Sequence, residues 1–342
     1  MNSRRNFIRS TGLLAAATLF NSNEIISQIS ISEKGKIKPP ALKSGDTVAI
    51  TSPAGAIWDE KQVETFTTIL KNFGFKVILG KTLTEKFGYF AGTDEFRANE
   101  INALFADKNV KGIFCMKGGW GCARILDKID YSLIEMNPKV LIGFSDITAL
   151  LIAITTKTGL ITFHGPVGNS GWNDFTKDVF INVTMKTNPF TYPENPISEN
   201  KIVTLNSGIA HGELIGGNLT VLSSIIGSGY LPDWKNKILF LEEVKEEPYS
   251  IDRMLTQLKL CGALNSISGF VFGKCAKCSA EEPLKSFTFH EVLMQHIQPL
   301  GIPAFYGAMI GHIENKLTLP IGIKASMDGD KGSITLEENA VL

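Results

Sequence analysis

The chain has 342 residues, of which 44% are hydrophobic and 20% charged, the composition of an ordinary globular protein. Lys plus Arg and Asp plus Glu both number 34, so no overall basic charge favours a nucleic acid as partner. A chain of this length is long for one hydrophobic core, so two domains are expected.

The N-terminus has the layout of an export signal. Arg4 and Arg5 precede an apolar run over residues 12–20, and polar residues follow. This run is too short to span a bilayer as a stable helix, so no membrane span is expected once the signal is removed. The adjacent arginines resemble a twin-arginine signal. We therefore assign residues 1–38 to signal and linker and expect a periplasmic protein, with a cytoplasmic location as the alternative.

From Lys43 onward, short apolar runs alternate with helical patterns. Strands and helices are predicted in turn at DTVAIT, DEKQVETFTTILKNFGF, KVILG, DEFRANEINALFAD, GIFCM, CARILDKI, KVLIGF, SDITALLIAITTKTG and LITFHG. This alternation indicates βαβ units on a mainly parallel sheet. Residues 39–168 are therefore predicted to form an α/β domain of flavodoxin or amidotransferase type. Ligands of such sheets bind beyond the carboxyl ends of the strands.

The second half of the chain has a different pattern. Residues 169–206 include NPFTYPENPISEN, which has three prolines and no clear periodicity, and a connection between domains is predicted there. Strand and helix patterns then mix at GELIGGNLTVLSSIIGSGYL, KILFLEE, YSIDRMLTQLKLCGAL, SGFVFGKC, FHEVLMQHIQ, KLTLPIGIKASMD and GSITL. Residues 207–342 are predicted to form a mixed α/β domain with a small barrel-like sheet.

The chain has five cysteines, and an odd number argues against a disulfide framework. Cys275 and Cys278 form a C-x-x-C, the spacing of a redox pair or of half a zinc site. No second half-site follows, so buried or loop thiols are the favoured interpretation. No metal site and no cofactor are expected.

The segment KGGWGCAR follows a predicted strand and precedes a predicted helix, as nucleotide-binding loops do. Arg124 stands where the dinucleotide fingerprint requires a third glycine, and no Gly-Lys-Ser/Thr follows, so neither nucleotide motif is met. Two interpretations remain open. The loop is either a binding site for an anion or oxyanion or a tight turn that uses Gly118, Gly119 and Gly121 for backbone freedom.

The segment KVLIGFSDITAL ends a strand and opens a helix at Ser145. Serine is a preferred N-cap residue, and Asp146 suits the positive end of a helix dipole. The alternative is a nucleophile on a strand-to-helix turn. Gly143 fills the first glycine of a G-x-S-x-G elbow, but Ile147 occupies the second. The residues alone favour the cap.

A nucleophilic serine needs a base and usually a carboxylate that orients the base. His164 in TFHGP and His312 in MIGHIEN both follow apolar runs, and both are candidates. Glu242 and Glu243 end the strand KILFLEEV, where a buried carboxylate requires a partner. Spacing does not choose between the two histidines or between the two glutamates. His290 and His296 lie on one predicted helix and are expected in surface or packing roles, and His211 lies in the polar turn AHGE.

Eight motifs in chain order resemble the LD-carboxypeptidase family of serine peptidases, which includes muramoyltetrapeptide carboxypeptidase and the microcin C immunity peptidases. The motifs are GDTVAITSPAG, YFAGTDEFRANEINALF, KGGWGCARILDKID, LIGFSDITAL, TFHGP, LIGGNLTVL, LFLEEV with EEPYSIDRML, and GHIENKLTLPIG. The resemblance runs from about Pro40 to the C-terminus. It implies that Ser145 is the nucleophile and that Glu242 and His312 complete a triad.

The resemblance also implies the reaction. The family releases a terminal D-amino acid from an L-centre, typically D-Ala from a peptidoglycan tetrapeptide, without a metal. The N–H of Asp146 and an N–H of the Gly118–Gly119 loop are the expected oxyanion donors. Trp120 and His164 are expected to lie beside the substrate.

Two departures from the family pattern bear on the substrate. Lys117 stands where arginine commonly precedes the two glycines, and Trp120 where tyrosine is frequent. A serine hydrolase that acts on a microcin-like peptidyl or aminoacyl adduct is one alternative function. A non-catalytic periplasmic binding protein, which shares the two-domain layout, is another. If the protein forms an oligomer, a homodimer is expected.

Overall fold

The computed structural model describes residues 35–193 and 201–342, so most of the predicted export signal lies outside the described residues. The strands of the described residues are β1 (Thr47–Thr51), β2 (Lys76–Leu79), β3 (Val110–Cys115), β4 (Val140–Gly143), β5 (Thr162–His164), β6 (Phe190–Thr191), β7 (Val203–Asn206), β8 (Ile209–Asn218), β9 (Lys237–Val244), β10 (Gly269–Ala276), β11 (Ala304–Tyr306), β12 (Leu319–Ile321), β13 (Lys324–Asp328) and β14 (Ser333–Leu336).

The helices follow many of the predicted helical patterns. They are α1 (Glu60–Asn72), α2 (Asp94–Ala106), α3 (Tyr131–Met136), α4 (Thr148–Thr158), α5 (Asp174–Thr184), α6 (Leu219–Ser224), α7 (Pro248–Leu260), α8 (Ala263–Ser266) and α9 (Phe289–His296). Short 3₁₀ helices cover Lys81–Leu83, Cys122–Lys128, Ser145–Ile147, Pro283–Lys285 and Gln298–Leu300. The predicted helix CARILDKI is thus a 3₁₀ helix.

Helix starts in the first half are fixed by side chains that accept hydrogen bonds from the first turn. Asp59 caps α1, Thr93 caps α2 and Asn173 caps α5, each accepting a backbone N–H of its own helix. Helix α5 lies in the segment predicted to be a connection. Its residue Phe180 is fully buried and lies 5.7 Å, between ring centroids, from Phe114 of β3, so this helix covers the first sheet.

The first sheet has six strands in the order β12-β5-β4-β3-β1-β2. Strands β1 to β5 run parallel to one another, and β12 pairs antiparallel with β5. Strand β4 is buried along its whole length, as a central strand covered by helices on both faces requires. The predicted α/β fold with a largely parallel sheet is confirmed.

The second sheet has eight strands in the order β6-β14-β13-β8-β9-β10-β11-β7. Strands β8, β9, β10 and β11 are parallel, whereas the outer pairs are antiparallel. The mixed character predicted for the second half is therefore present. Both sheets belong to one compact unit, which extends from Lys36 to Leu342.

One strand of the second half joins the first sheet. The segment KLTLPIGIKASMD is predicted to lie wholly in the second domain, but the chain divides it between the two sheets. Leu319 of β12 pairs with His164 of β5, while Ala325 of β13 pairs with Gly212 of β8. The residues just before β12, which include His312, are thereby brought to the first sheet.

The prediction that Cys275 and Cys278 are thiols is wrong, because the two form a disulfide. Lys277, between them, has a φ of 60° and turns the chain at the end of β10, which leaves the two Cα atoms 5.4 Å apart. Three cysteines of the described residues are free, namely Cys115, Cys122 and Cys261.

None of the helices in the described parts of the chain is both long enough and apolar enough to cross a membrane.

Candidate active site

Ser145 lies directly beyond the carboxyl end of β4, after Phe144. Its φ is 63°, a left-handed conformation that costs a non-glycine residue about 1–2 kcal/mol. Its side chain makes no cap bond to the 3₁₀ helix Ser145–Ile147 or to α4, so Ser145 is not the N-cap. A strained serine on a strand-to-helix turn is the geometry of a nucleophile elbow.

The neighbours of Ser145 are packed closely enough to require glycine at two positions. A Cβ on Gly143 would lie 2.7 Å from Cγ2 of Ile147, so the isoleucine fills the space that a side chain there would need. A Cβ on Gly118 would lie 2.9 Å from Cβ of Ser145 and 3.2 Å from the backbone N of Asp146. The KGGWG loop therefore lies directly against the serine.

His312 connects the serine to a buried carboxylate. Its Nε2 lies 3.3 Å from Oγ of Ser145, and its Nδ1 lies 2.8 Å from Oε2 of Glu242. Glu242 is fully buried on β9, and a Cβ on Gly311 would lie 2.8 Å from its Oε2. Gly311 has a φ of 114°, so only glycine allows the histidine turn to approach the carboxylate this closely.

The two adjacent glutamates have different partners. Glu243 accepts hydrogen bonds from the amide of Asn218, at 3.0 Å, and from the backbone N–H of Thr220, at 2.8 Å. Asn218 in turn caps α6 by accepting from the N–H of Val221. Burial raises the pKa of Glu243, as does the nearby Glu242 carboxylate, while its hydrogen bonds to Val244 and Thr220 act against this. Of these two glutamates, Glu242 is the one that contacts His312.

Two segments of the chain match the N-terminal and the C-terminal domain of one protein family. Residues 48–165 match the LD-carboxypeptidase N-terminal domain, and residues 211–327 match the LD-carboxypeptidase C-terminal domain. A probable murein peptide carboxypeptidase of Bacillus subtilis is 40% identical over 312 residues, which cover 89% of this chain and 94% of that protein. The chain belongs to the LD-carboxypeptidase family. It is a serine carboxypeptidase, and thus a hydrolase, as the family and the named relatives are.

Solved structures and a second relative agree with this assignment. The structure of MccF, a microcin C7 self-immunity protein, in complex with aspartyl sulfamoyl adenosine has a TM-score of 0.82 at 30% identity, covering 90% of this chain and 100% of that chain. The muramoyltetrapeptide carboxypeptidase of Oxalobacter formigenes has a TM-score of 0.75 at 28% identity, covering 85% and 97%. The Escherichia coli MccF sequence is 32% identical over 332 residues, or 87% of this chain and 94% of that protein.

Asp146 ties the loop of this LD-carboxypeptidase to its serine turn. Its buried Oδ2 accepts a hydrogen bond of 2.8 Å from the backbone N–H of Cys122, which follows the KGGWG loop. Burial raises the pKa of Asp146, and the hydrogen bonds from Cys122 and Gly121 oppose the increase. Gly119 has a φ of 117°, and the neighbouring Trp120 is exposed at the loop surface. Of the predicted oxyanion and substrate residues, Gly118, Gly119 and Trp120 thus share one loop, and Asp146 lies on the adjacent serine turn.

His164 lies near His312, but it is enclosed in the hydrophobic core. It is 2% exposed, its ring centroid is 6.0 Å from that of Phe144 and 5.4 Å from that of Phe240, and its Nδ1 has no hydrogen-bond partner among the described residues. Burial lowers the pKa of His164 to about 4, with a further contribution from His312 that the Glu242 carboxylate opposes.

Acid should destabilise the enzyme through His164. Between pH 6.5 and about 4 the unfolded chain binds a proton at this residue that the folded chain does not, so the free energy of unfolding falls as the pH falls. From pH 7 to pH 5 this amounts to about 2 kcal/mol. His164→Phe keeps a ring in the site and should lose that much less stability over the same range. Urea unfolding of both proteins at pH 7 and pH 5 measures the difference, and equal losses would contradict it.

Two residues that the sequence analysis did not single out hold the site together. Arg97 on α2 is fully buried and donates hydrogen bonds to the backbone oxygens of Pro53, at 2.5 Å, and Gly121, at 3.0 Å. Lys316 donates to the backbone oxygen of Ile313, and its Nζ lies 5.5 Å from the ring centroid of Phe144. Burial lowers the pKa of Lys316 to about 8, against the effect of the nearby carboxylates. Arg97 lies in an ordinary helical pattern and Lys316 in an ordinary loop pattern, so the sequence did not indicate that either cation is buried.

One further pocket of the described residues lies away from this site. In the described ranges, no three His, Cys, Asp or Glu side chains come together as a metal site would need. A pocket lined by Lys108, Lys111 and Lys139 lies near the starts of β3 and β4, at the edge of the sheet opposite to Ser145. The side chain of Lys139 donates to the backbone oxygens of Asp107 and Val110, so this pocket is a structural feature of the sheet edge.

Proposed function

We propose that this enzyme releases the terminal D-Ala from peptidoglycan-derived tetrapeptides, with Ser145, His312 and Glu242 as its catalytic triad. The single observation that carries the proposal is the continuous contact from Ser145 Oγ through the two ring nitrogens of His312 to Glu242. Relatives named as murein peptide, murein tetrapeptide and muramoyltetrapeptide carboxypeptidases support the choice of substrate.

The first half of the reaction forms an acyl-enzyme. His312 Nε2 takes the hydroxyl proton of Ser145 while Oγ attacks the carbonyl carbon of the amide before D-Ala. Glu242 holds the Nδ1–H of the ring and stabilises the imidazolium that forms. The negative oxygen is bound by the N–H of Asp146 and an N–H of the Gly118–Gly119 loop. His312 then donates its proton to the leaving nitrogen, and D-Ala departs.

The second half hydrolyses the ester. Water enters the position left by D-Ala, His312 takes a proton from it, and the resulting hydroxide attacks the acyl carbon. The same backbone donors stabilise the second tetrahedral intermediate. Collapse returns the proton from His312 to Ser145 Oγ and releases the tripeptide. Every proton transfer in this scheme passes between Ser145, His312, the substrate and water.

Mass spectrometry of a defined tetrapeptide tests the proposal directly. Two peptides should be tried, L-Ala-γ-D-Glu-L-Lys-D-Ala and its diaminopimelate counterpart, because the proposal does not specify the diamino acid at the third position. The matched control peptide ends in L-Ala, and the matched control protein is Ser145→Ala. Release of alanine from the D-form alone supports the proposal, whereas equal release from both forms, or from neither, contradicts it.

A second candidate function is the cleavage of an aminoacyl or peptidyl adduct of the microcin type. The observation that favours it is the TM-score of 0.82 to MccF bound to aspartyl sulfamoyl adenosine. The same triad would attack an amide or acyl group attached to a nucleotide-like leaving group. Comparing kcat/KM for an aminoacyl sulfamoyl adenosine with that for the tetrapeptide separates the two functions, because the better substrate identifies the function.

We also propose that the protein is exported through its twin-arginine-like leader. This proposal rests on Arg4 and Arg5, which precede the apolar run and lie outside the described ranges. Replacing both arginines with lysine should hold the protein in the cytoplasm, because the twin-arginine receptor reads the pair and not its charge. A general secretory signal tolerates that change. Cell fractionation of both forms measures this, and a wild-type protein found only in the cytoplasm with an intact N-terminus contradicts export.

A further inference from the structure

The C-x-x-C disulfide lies at the end of β10, next to the two elements that carry Glu242 and His312. We call these two residues the carboxylate–histidine pair. Cys275 and Cys278 are only three positions apart in the chain. Closing so short a loop removes little freedom from the unfolded chain, so the disulfide contributes little to the stability of the whole fold. Its effect is local, and its neighbours determine what it controls.

One side of the disulfide loop is bound to the strand that carries Glu242. Cys275 of β10 pairs with Glu243 of β9 in parallel register. The backbone N–H of Lys245, just beyond β9, donates to the oxygen of Ala276, inside the disulfide loop, at 2.9 Å. The end of the strand that carries the catalytic carboxylate is therefore held by the loop that the disulfide closes.

The other side of the disulfide loop is bound to the turn that carries His312. The backbone N–H of Lys274 donates to the oxygen of Ile310 at 3.0 Å. A Cβ on Gly311 would lie 3.3 Å from the backbone oxygen of Lys274, so the two segments are in close contact. The register of β10 with β9 is irregular just before Cys275, where β10 bonds to the histidine turn instead. The end of β10 thus supports both members of the carboxylate–histidine pair.

This arrangement depends on two left-handed lysines. Lys245 and Lys277 both have a φ of 60°, a conformation that is unfavourable for lysine. Reduction separates the sulfurs of Cys275 and Cys278 from bonded to non-bonded contact, and Lys277 is then free to leave the left-handed region. Both changes move the loop whose backbone oxygen holds Lys245. Reduction should therefore displace the strand ends that position the carboxylate–histidine pair.

The disulfide is the cysteine group on which a mild reductant acts. Both of its cysteines are half-buried, and Lys277 between them is exposed, so a small dithiol can approach the sulfurs. The other three cysteines of the chain are free thiols, which a reductant leaves unchanged. Cys115 and Cys122 are buried, and burial raises the pKa of both thiols. Cys261 is exposed after α7 and serves as a reference thiol.

We propose that Cys275–Cys278 is a thiol–disulfide exchange site that controls catalysis, with the disulfide form active and the dithiol form less active. The inference rests on the proposed triad and adds regulation to it. A thiolate of a small dithiol attacks one sulfur and forms a mixed disulfide. The second thiol of the reductant then closes its own disulfide, and two electrons and two protons have passed to the protein, which gains two thiols. A reducing cytoplasm favours the dithiol form and an oxidising compartment the disulfide form, in agreement with the export proposed above.

Reduction of the wild-type enzyme tests this proposal. The value of kcat/KM for the tetrapeptide should fall by about tenfold in dithiothreitol, mainly through kcat, because a displacement of ~1 Å can cost up to about 100-fold. Reoxidation should restore it. Iodoacetamide labelling followed by mass spectrometry verifies the state of the protein, since reduction should add labels at Cys275 and Cys278 to the one at Cys261.

Two variants complete the activity test. Cys275→Ser/Cys278→Ser should have the activity of the reduced wild type and should not respond to dithiothreitol. Cys261→Ser is the matched control and should respond as the wild type does, because Cys261 is outside the disulfide. The inference is overturned if the labelled, reduced wild type keeps its kcat/KM, or if the double variant is as active as the oxidised wild type. Reduction of the wild type decides the matter if the double variant does not fold.

A spectroscopic measurement separates failure of this inference from failure of the proposed function. In the disulfide form, Nδ1–H of His312 donates to Glu242 at 2.8 Å, and a proton in such a bond has a resonance far downfield. Its absence in His312→Ala assigns the resonance. Reduction should shift or broaden it, and this outcome supports the inference even if no tetrapeptide is cleaved. A resonance that is the same in the oxidised and the reduced protein overturns the inference, whatever the substrate is.

Discussion

Ser145→Ala is expected to lower kcat for the release of D-Ala by about 10⁴-fold or more while leaving the fold intact. The variant removes the Oγ that lies 3.3 Å from His312 Nε2, and without it no acyl-enzyme can form. Alanine tolerates a positive φ no better than serine does, so the strain at this position remains and the stability should change little. Steady-state release of alanine, measured by mass spectrometry, gives the ratio. Residual activity above about a tenth of the wild type would refute Ser145 as the nucleophile.

Ser145→Gly provides the matched control for the strain. It also lacks Oγ and should be as inactive as the alanine variant. Glycine adopts the φ of 63° without steric cost, so this variant should be more stable than Ser145→Ala by about 1 kcal/mol. Urea unfolding of the two variants measures the difference. Equal stability would show that the turn is not strained.

His312→Ala is expected to cost about as much activity as Ser145→Ala, whereas His164→Ala should cost about tenfold or less. The two histidines differ in what they touch. His312 lies within hydrogen-bond reach of both Ser145 and Glu242, while His164 is enclosed by Phe144 and Phe240 in the core. Both variants should be compared by kcat/KM with the same tetrapeptide.

The pH profile distinguishes a base from a supporting residue. Loss of His312 should change the shape of the pH profile of kcat/KM, and loss of His164 should leave that shape unchanged. A reversed ranking of the two variants, with His164→Ala the less active, would overturn the choice of base. Thermal unfolding of each variant shows whether an activity loss comes from unfolding.

Local patterns were sufficient for much of the first sheet. The apolar runs at β1, β3 and β4 alternate with helical patterns, and burial on both faces of a parallel sheet leaves such runs unbroken. The same patterns did not reveal that β12 leaves the second half and pairs with β5. Strand pairing between segments far apart in the chain depends on how the two halves pack. The short run around Leu319 is equally suited to either sheet.

The disulfide also depends on the folded structure and could not be predicted from the local sequence. The C-x-x-C spacing was visible, but whether Cys275 and Cys278 meet depends on the left-handed turn at Lys277, a residue type that seldom adopts it. Likewise, Arg97 and Lys316 lie on ordinary patterns, and their burial follows from the backbone oxygens that surround them in the folded chain.

By itself the sequence determined which groups stand at the ends of apolar runs: Ser145 after β4, two glutamates on β9 and two histidines after other runs. Local spacing could not choose Glu242 over Glu243 or His312 over His164, because adjacent or equivalent positions share the same local pattern; only the family resemblance pointed to Glu242 and His312. The tertiary structure places these two side chains in contact with each other. His312 meets a serine 167 positions and a carboxylate 70 positions away in the chain. Such meetings are set by the packing of the two sheets and by Gly311, whose missing side chain lets the histidine turn reach Glu242.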